Sequence, residues 1–376
     1  MSTSARDPRL VAVLGGGQLG LMLGLAGIPL GLRFRFLDPS PEAPAAAVGD
    51  LVVGALDEPD ALQVTAAGGA VVTYEWEGVP AAGVDLLTAD GSMVRPSSRA
   101  LRVAQDRLVE KTTFRSLGID VADFAPVDDR AGLETALDAV GIPAVLKTRR
   151  GGYDGKGQVV LRERADADAA WATLEPGAPL IAEALVPFDR ELSILAVRAA
   201  DGDTRCWPIV ANEHQHGILR TSIAPAPDLP ATQCRQAEQY ARALLDELDY
   251  VGVLALELFD VGGTLLANEL APRVHNSGHW TIEGAPTSQF ENHLRAILGW
   301  PLGPTTPLVS SVMVNCIGAL PDPAAVLAVE GAHLHDYGKA ARPGRKVGHV
   351  TLTLHGDQEL GPKLAELRAV LPSDRG

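Results

Sequence analysis

The sequence predicts a mixed α/β and α+β protein with more than one domain. Near the N-terminus, the apolar run Leu10–Leu14, a glycine-rich turn and the apolar stretch Leu19–Ile28 predict a strand, a turn and a helix. Further along, a glycine-rich segment separates the strand-like runs Ala144–Lys147 and Val159–Leu161. The strand-like run Val253–Phe259 is followed by a glycine pair and then by another strand-like run. The first pattern is typical of an open α/β sheet and the other two of antiparallel pairs.

The composition indicates a folded, acidic protein. Its 376 residues suggest two or three domains at about 150 residues each. Acidic residues number 47 and basic residues 32, giving a net charge of −15, which argues against a broad surface for nucleic acid or anionic lipid. Three cysteines without a CxxC spacing support neither a disulfide framework nor a zinc knuckle, and they favour a reduced, cytoplasmic setting.

The uncharged stretch Leu10–Leu32 is long enough to cross a bilayer, and Arg6 and Arg9 precede it as they would in a signal peptide. Its interior contains many glycines, a proline and a glutamine, which argue against a membrane helix. Because Arg33–Leu37 resumes as a strand and ends at Asp38, the whole segment predicts a βαβ unit rather than a membrane span.

The same unit fits a dinucleotide-binding fingerprint. Gly15, Gly17 and Gly20 match G-x-G-x-x-G, and Asp38 lies near the distance expected for a ribose-binding acid. Glycines at such a turn let backbone N–H groups approach an anion at a helix N-terminus. A nicotinamide dehydrogenase therefore remains a candidate at this point.

Residues 1 to about 100 are predicted to form one open α/β sheet, since the strand-like runs Leu51–Val53 and Ala70–Tyr74 follow. Acidic residues in Tyr74–Glu77 come just after a strand, where ligands bind in such sheets. The amphipathic stretch Arg102–Leu117 predicts one helix that ends at Gly118.

The segment from Thr148 to Gln158 joins two predicted strands and contains four glycines and several cations. About ten residues are more than a simple hairpin turn requires. Glycines supply accessible backbone donors, and lysines supply charge for phosphate groups. The segment therefore predicts a phosphate-binding flap.

Two carboxylates lie twelve residues apart around the glycine pair of the later hairpin. Strand pairing brings Glu257 and Glu269 opposite each other or within one register step, with Asn268 beside them. Carboxylates within apolar strands are costly unless a cation compensates them, and these oxygens are ligands that Mg²⁺ prefers. His214 and His216 form a weaker candidate for zinc, since no third ligand accompanies them.

Two polar segments complete the candidate site. Ala271–Trp280 directly follows the strand that carries the second carboxylate and is dense in hydrogen-bond donors. The stretch Gly338–Gly356 contains no acid but four cations, which are Lys339, Arg342, Arg345 and Lys346. In a chain of net charge −15, this local excess predicts a site for a phosphate group.

Taken together, these features resemble the ATP-grasp ligases, which clamp ATP between two sheets. Several segments resemble one branch of that family closely. That branch carboxylates an aminoimidazole ribonucleotide in bacterial purine biosynthesis. The segments are Tyr74–Glu77, Gln105–Arg107, Gly151–Gln158, His214–Ile218, Asn268–Trp280 and Arg342–Gly348. The resemblance extends from Val11 to about Leu354. It implies a Rossmann-like (pre-ATP-grasp) domain over residues 1–105, an ATP-grasp domain over 106–302 and a small C-terminal domain over 303–376.

The resemblance also implies roles for individual residues. ATP would contact Arg107, Lys147, Gly152, Tyr153, Asp154, Gly155, Lys156, Gly157, Gln158, Glu183, Ala184, Leu185, Val186, Glu191, His214, Asn268 and Glu269. The ribonucleotide would contact Gln18, Glu75, Tyr153, Asp154, Arg273, His275, Lys339 and Arg345. Arg273, His275, Tyr153 and Asp154 would take part in catalysis, and Glu257 and Glu269 would hold Mg²⁺ or Mn²⁺.

The implied reaction joins bicarbonate to the amine of 5-aminoimidazole ribonucleotide through carboxyphosphate, with release of ADP and phosphate. The resemblance further implies a cytoplasmic homodimer that acts on small molecules and binds neither nucleic acid nor membrane. Besides the dehydrogenase, two more functions stay open. One is an ATP-grasp ligase with a different acceptor, and the second is a nucleotide-binding sensor without turnover.

Overall fold

The computed structural model describes residues 6–152, 156–174, 178–356 and 359–372. Within these residues the strands form three separate sheets, one parallel and two antiparallel. The mixed α/β and α+β architecture predicted from the sequence is therefore observed.

The first sheet is parallel and contains β1 to β4 in the order β3-β2-β1-β4. Its strands are β1 (Asp7–Leu14), β2 (Arg33–Asp38), β3 (Asp50–Val53) and β4 (Gly69–Tyr74). The helices that accompany it are α1 (Gln18–Gly27), α2 (Pro59–Ala66), α3 (Ala81–Ala89) and α4 (Ser98–Ala104). The central strand β1 is apolar because neighbouring elements cover it, and its residues 11–14 have no exposed surface. The predicted βαβ unit is confirmed.

The single helix predicted over Arg102–Leu117 is wrong, because α4 ends at Ala104 and a new helix α5 (Arg107–Ser116) begins three residues later. Asp106 has an extended backbone and caps α5, accepting hydrogen bonds from the N–H groups of Leu108 and Val109 at 3.1 and 3.4 Å. An N-cap aspartate starts a helix by satisfying donors that have no partner inside it. The amphipathic pattern continued across the break and concealed it.

A second, small sheet is antiparallel, in the order β5-β8-β6-β7. It consists of β5 (Phe124–Val127), β6 (Ala144–Thr148), β7 (Gln158–Leu161) and β8 (Leu180–Ala184), with α6 (Arg130–Val140) and α7 (Ala167–Thr173) packed beside it. The glycine-rich segment connects β6 to β7, as predicted.

The third sheet is the largest and has nine strands in the described residues. They are β9 (Arg190–Arg198), β10 (Thr204–Cys206), β11 (Val210–Gln215), β12 (Ile218–Ala224), β13 (Gly252–Val261), β14 (Thr264–Ala271), β15 (Ser310–Ile317), β16 (Ala332–Asp336) and β17 (Lys346–Leu354). Its helices are α8 (Ala231–Glu247), α9 (Thr281–Gly284), α10 (Gln289–Leu298), α11 (Pro323–Leu327) and α12 (Leu360–Val370). β12 pairs with β15, so the strands after residue 302 extend the same sheet.

The largest apolar core joins the first sheet to the third. Phe34 and Met22 pack in one cluster with Leu294, Trp280 and Val253. This packing brings the loops after β1 and β4 to the hairpin of β13 and β14. Among the described residues, no helix combines the length and apolar character needed to cross a membrane.

Candidate active site

A cavity of about 540 Å³ is lined by residues from all three sheets. Apolar side chains line one part of it, namely Ala122, Val145, Val160, Leu185, Phe188 and Phe259. The remainder is charged and includes Glu75, Glu77, Arg107, Lys111, Lys147, Lys156, Glu183, Glu191, Glu257, Glu269, Arg273 and Lys346. A slot that is apolar in one part and highly charged in the other suits a nucleotide, whose base is flat and whose phosphates are anionic.

Two lysines share one buried glutamate in the wall of the cavity. Lys147 on β6 donates to Glu183 Oε2 on β8 at 2.9 Å, and Lys111 on α5 lies 3.4 Å from the same oxygen. Burial acts to raise the pKa of Glu183, but the two ammonium groups outweigh it and lower that pKa to about 2. Burial lowers the pKa of Lys147, and the charge of Glu183 only partly opposes this effect. The predicted residues Lys147 and Glu183 are thus brought together.

The glycine-rich segment is anchored at both ends. Arg107, at the start of α5, donates to the carbonyl groups of Thr148, Gly151 and Gly152 at 3.0, 2.7 and 3.3 Å. Gly157 has a φ of +72° and accepts from the N–H of Thr148 at 2.9 Å, closing the loop. Lys156 and Gln158 line the cavity, while Tyr153, Asp154 and Gly155 lie outside the described residues.

Glu257 and Glu269 are cross-strand partners in the hairpin of β13 and β14. Near the turn, Leu258 pairs with Ala267, and an uninterrupted register would place Glu257 opposite Asn268. A β-bulge intervenes at this point, so Glu257 pairs with Glu269 and both carboxylates share one face of the sheet. Burial, and after it the charge of Glu269, raises the pKa of Glu257. Two carboxylates that oppose each other's ionisation are suited to a divalent cation.

A pair from neighbouring strands lies next to these carboxylates. His214 Nδ1 on β11 is 2.9 Å from Glu191 Oε2 on β9. Burial acts to lower the pKa of His214, but the hydrogen bond to Glu191 and the charge of Glu257 raise it. His216 lies in an exposed turn with a φ of +53°. The described part of the chain contains no cluster of three or more His, Cys, Asp or Glu side chains arranged for a metal ion.

The loop after β14 places a cation and a neutral imidazole at the same carboxylates. Arg273 pairs with Glu77, and the side chain of Arg273 is 14% exposed. Burial, followed by the charge of Arg273, lowers the pKa of His275 well below its ordinary value. His275 Nδ1 accepts from the N–H of Ser277 at 3.3 Å, and its Nε2 lies 3.4 Å from Glu257 Oε1. His275 therefore lies beside Glu257 as a neutral side chain.

The turn after β1 is occupied by a carboxylate of the chain itself. Glu75, at the carboxyl end of β4, accepts from the N–H groups of Gly17 and Gly20 at 2.6 and 2.8 Å, and Asp38 accepts from Gly16 at 2.8 Å. A Cβ added to Gly17 would come within 2.7 Å of Glu75 Oε1, so only glycine permits this approach. The helix N-terminus that a dinucleotide would use is already satisfied, which removes the support for a dehydrogenase.

The predicted ribonucleotide residues lie unevenly around the cavity. Lys339 contacts Gln18, which lines the cavity together with Glu75. Burial, then the charges of Arg345 and Lys346, lowers the pKa of Lys339 to about 8. Arg345 donates to the Ala340 carbonyl at 3.1 Å and is not among the lining residues.

Several cavity residues were not predicted as functional. Lys346 belongs to the predicted basic segment, and it lines the cavity where Arg345 does not. Glu77 follows Glu75 by two residues and could have been found from the same acidic string. Lys111 gave no signal beyond a charged position in an amphipathic helix, and its burial to 2% exposure is decided by packing alone.

A nucleotide slot between two antiparallel sheets, with a glycine-rich loop on one and paired carboxylates on the other, defines the class of ATP-grasp ligases. Comparison with known proteins agrees, since a model of the ATP-grasp domain matches residues 112–290. A ribonucleotide synthetase preATP-grasp domain matches residues 9–105, and a phosphoribosylaminoimidazole carboxylase C-terminal domain matches residues 311–362.

Relatives that match nearly the whole chain identify the family within this class. The chain is 51% identical over 362 residues to the N5-carboxyaminoimidazole ribonucleotide synthase of Pseudomonas aeruginosa, covering 96% of this chain and 99% of the relative. The crystal structure of the corresponding synthetase from Thermus thermophilus is 56% identical, with a TM-score of 0.92 over 96% of this chain and 98% of that one. The chain therefore belongs to the N5-carboxyaminoimidazole ribonucleotide synthase family, which confirms the ATP-grasp fold and the ligase class inferred from the sequence.

One solved relative bears on the ligands. The N5-carboxyaminoimidazole synthase of Aspergillus clavatus, in complex with ADP and 5-aminoimidazole ribonucleotide, is 31% identical to this chain. Its TM-score is 0.88, covering 96% of this chain and 99% of that chain.

Proposed function

We propose that this chain carboxylates 5-aminoimidazole ribonucleotide with bicarbonate at the expense of ATP, forming N5-carboxyaminoimidazole ribonucleotide, ADP and phosphate in purine biosynthesis. The observation that carries the proposal is the continuity of one cavity. It runs from the apolar slot and Lys147 past the Glu257/Glu269 pair to Arg273 and the loop at Glu75. The Aspergillus clavatus relative, with ADP and the ribonucleotide bound, supports this pairing of ligands.

ATP would occupy the end formed by β6, β8 and the glycine-rich segment. The base would lie in the apolar slot against the hinge residues Glu183–Val186, which line the cavity. Lys147 and the donors of Gly152–Gln158 would bind the phosphate groups. Arg107 would hold the carbonyl groups at the start of this segment in position.

Glu257, Glu269 and the Asn268 side chain are proposed to hold Mg²⁺ or Mn²⁺. Two carboxylates completed by phosphate oxygens and water fit Mg²⁺, which seldom uses a full cage of protein ligands. When bound, the cation would neutralise charge on the phosphate oxygens during phosphoryl transfer. Burial and the charge of Glu269 raise the pKa of Glu257, and a bound cation would offset both effects.

In the first step a bicarbonate oxygen attacks the γ-phosphorus, the bond to the β,γ-bridging oxygen breaks, and ADP leaves. In the second step the amine of the ribonucleotide attacks the carboxyl carbon of carboxyphosphate, phosphate leaves, and the amine loses one proton. Arg273 would stabilise the carboxyl oxygens, and its pairing with Glu77 would fix the guanidinium. His275 is neutral and would act with Arg273 at the carboxyl group, while Tyr153 and Asp154 are proposed to position the amine.

The ribonucleotide phosphate is proposed to bind Lys339 and Arg345, with the imidazole directed towards Gln18 and Glu75. Because the pKa of Lys339 is about 8, most of its charge is present at pH 7 and is lost as the pH rises through 8. We expect kcat/KM for the ribonucleotide to fall about fivefold between pH 8 and pH 9, because the protonated fraction of Lys339 falls from about one half to about one tenth. The profile of Lys339→Arg should stay level over this interval, whereas a wild-type profile that is also level would contradict the assignment.

The test of the overall function is ADP release with Mg-ATP and bicarbonate, measured with and without 5-aminoimidazole ribonucleotide. We expect release to require both the ribonucleotide and bicarbonate, and ¹³C-bicarbonate to appear in the carbamate product. Release that does not depend on the ribonucleotide would overturn the acceptor. Glycinamide ribonucleotide serves as the control acceptor, because it carries the same phosphate but a different amine.

Further features inferred from the sequence stay proposals for this chain. They are the division into domains at residues 105 and 302, a cytoplasmic location and assembly as a homodimer. Sedimentation of the purified protein at two concentrations tests the last of these.

A further inference from the structure

Helix α5 holds the main chain of Glu269 on both sides. Lys111 Nζ donates to the carbonyl oxygen of Asn268 at 2.8 Å, so the peptide before Glu269 is fixed. The N–H of Leu270 donates to Glu110 Oε1 at 2.7 Å, so the peptide after Glu269 is fixed as well. The two helix residues are consecutive, and their exposed fractions are 1% for Glu110 and 2% for Lys111.

These contacts lie at the irregular part of the hairpin. The bulge between the Leu258 and Glu257 pairs is what brings Glu257 opposite Glu269, and β14 is the edge strand of its sheet. Peptide groups at an edge have no neighbouring strand to hold them, and a bulge disrupts the ladder further. Without another partner, the main chain around Glu269 could relax towards the register in which Asn268 faces Glu257.

Burying an ammonium group and a carboxyl group merely to satisfy an edge is expensive. The ion pair between Lys111 and Glu183 Oε2, at 3.4 Å, offsets part of this cost. The same contact links the hinge of the small sheet to the edge of the large one. The carboxyl of Glu110 forms no ion pair with a cation among the described residues, and its Oε1 accepts from the Leu270 N–H. Its burial is therefore explained by the position of the peptide it holds.

We infer that Glu110 and Lys111 are positioning residues that keep the carboxylate of Glu269 opposite Glu257 in the geometry a divalent cation requires. This inference rests on the proposed role of Glu257 and Glu269 in holding that cation. Lys111 has a second effect that Glu110 lacks, because it also contacts the hinge glutamate. The two residues should therefore differ in their effect on nucleotide binding.

The test measures Mn²⁺ binding by electron paramagnetic resonance of the free ion, at saturating ADP and well below the unfolding temperature of each variant. Glu110→Met and Lys111→Met should each weaken Mn²⁺ binding about tenfold. Glu110→Gln keeps an acceptor for the Leu270 N–H and should recover binding to within about twofold of wild type. Thr112→Ala, an exposed change on the same helix, is the matched control.

ADP affinity, measured by calorimetry without metal, separates the two residues. Lys111→Met should weaken ADP binding several-fold, whereas Glu110→Met should leave it unchanged. If Glu110→Met and Lys111→Met bind Mn²⁺ as wild type does, or if Glu110→Gln is as defective as Glu110→Met, the positioning role is overturned. Wild-type protein that binds no Mn²⁺ with ADP would instead overturn the proposed metal role itself.

Discussion

Glu269→Gln is expected to lower kcat for ADP release by about 10³-fold or more. The amide keeps the shape of the side chain but removes the negative charge that Glu269 contributes opposite Glu257. A single remaining carboxylate is a poor site for Mg²⁺, and phosphoryl transfer depends on charge neutralisation. The rate is measured with a coupled ADP assay at saturating ATP, bicarbonate and ribonucleotide.

The same substitution should not destabilise the fold, because Glu269 is exposed to the cavity and its removal relieves repulsion with Glu257. Glu238→Gln, on the exposed face of α8, makes the identical chemical change on a helix that contributes no lining residue to the cavity, and it serves as the control. A Glu269→Gln enzyme that retains near-normal turnover would refute the metal role of the hairpin.

Asp106→Ala is expected to lower the free energy of unfolding by about 4 kcal/mol. Asp106 is 3% exposed and combines two roles, as the N-cap of α5 and as the partner of two arginines. Arg149 binds both of its oxygens, at 3.1 and 2.8 Å, and Arg150 Nε lies 3.2 Å from Oδ2. Urea unfolding followed by intrinsic fluorescence measures the loss.

Asp106→Asn separates these two roles. The asparagine oxygen can still cap the helix, so this variant should lose only the part of the stability that the arginines contribute. Both variants should also raise KM for ATP, since Arg149 leads into the glycine-rich segment and Arg107 anchors it. Equal loss of stability in the two variants would contradict a capping contribution, and no loss in either would contradict both roles.

The sequence predicted most elements because their patterns are local. Short apolar runs separated by glycines identified β1, α1 and β2, and the spacing of twelve around Gly262-Gly263 placed Glu257 and Glu269 within one register step. The sequence could not decide whether the two carboxylates lie directly opposite each other or one register step apart. A bulge at Asn268 depends on partners from α5, which is more than 150 residues away in the chain.

The same limit explains the errors. The hydrophobic pattern of Arg102–Leu117 runs unbroken through Asp106. The burial of Asp106 as a helix cap depends on its ion pairs with arginines that follow β6, and the local pattern does not show them. The glycine fingerprint at Gly15–Gly20 predicts an anion at a helix N-terminus correctly. It does not reveal that the anion is Glu75 of the same chain. Glu75 reaches the glycine turn because β4 pairs with β1.

The sequence by itself determined the class of fold, the pairing of two carboxylates across a hairpin and the local excess of cations near residues 339–346. These follow from periodicity and from charge, which neighbours along the chain decide. Only the tertiary structure decided the register that puts Glu257 directly opposite Glu269, which lysine lines the cavity and which acid accepts the N–H groups of the glycine turn. Each of those outcomes depends on contacts between distant segments, where burial makes an unpartnered charge or peptide group too costly to leave.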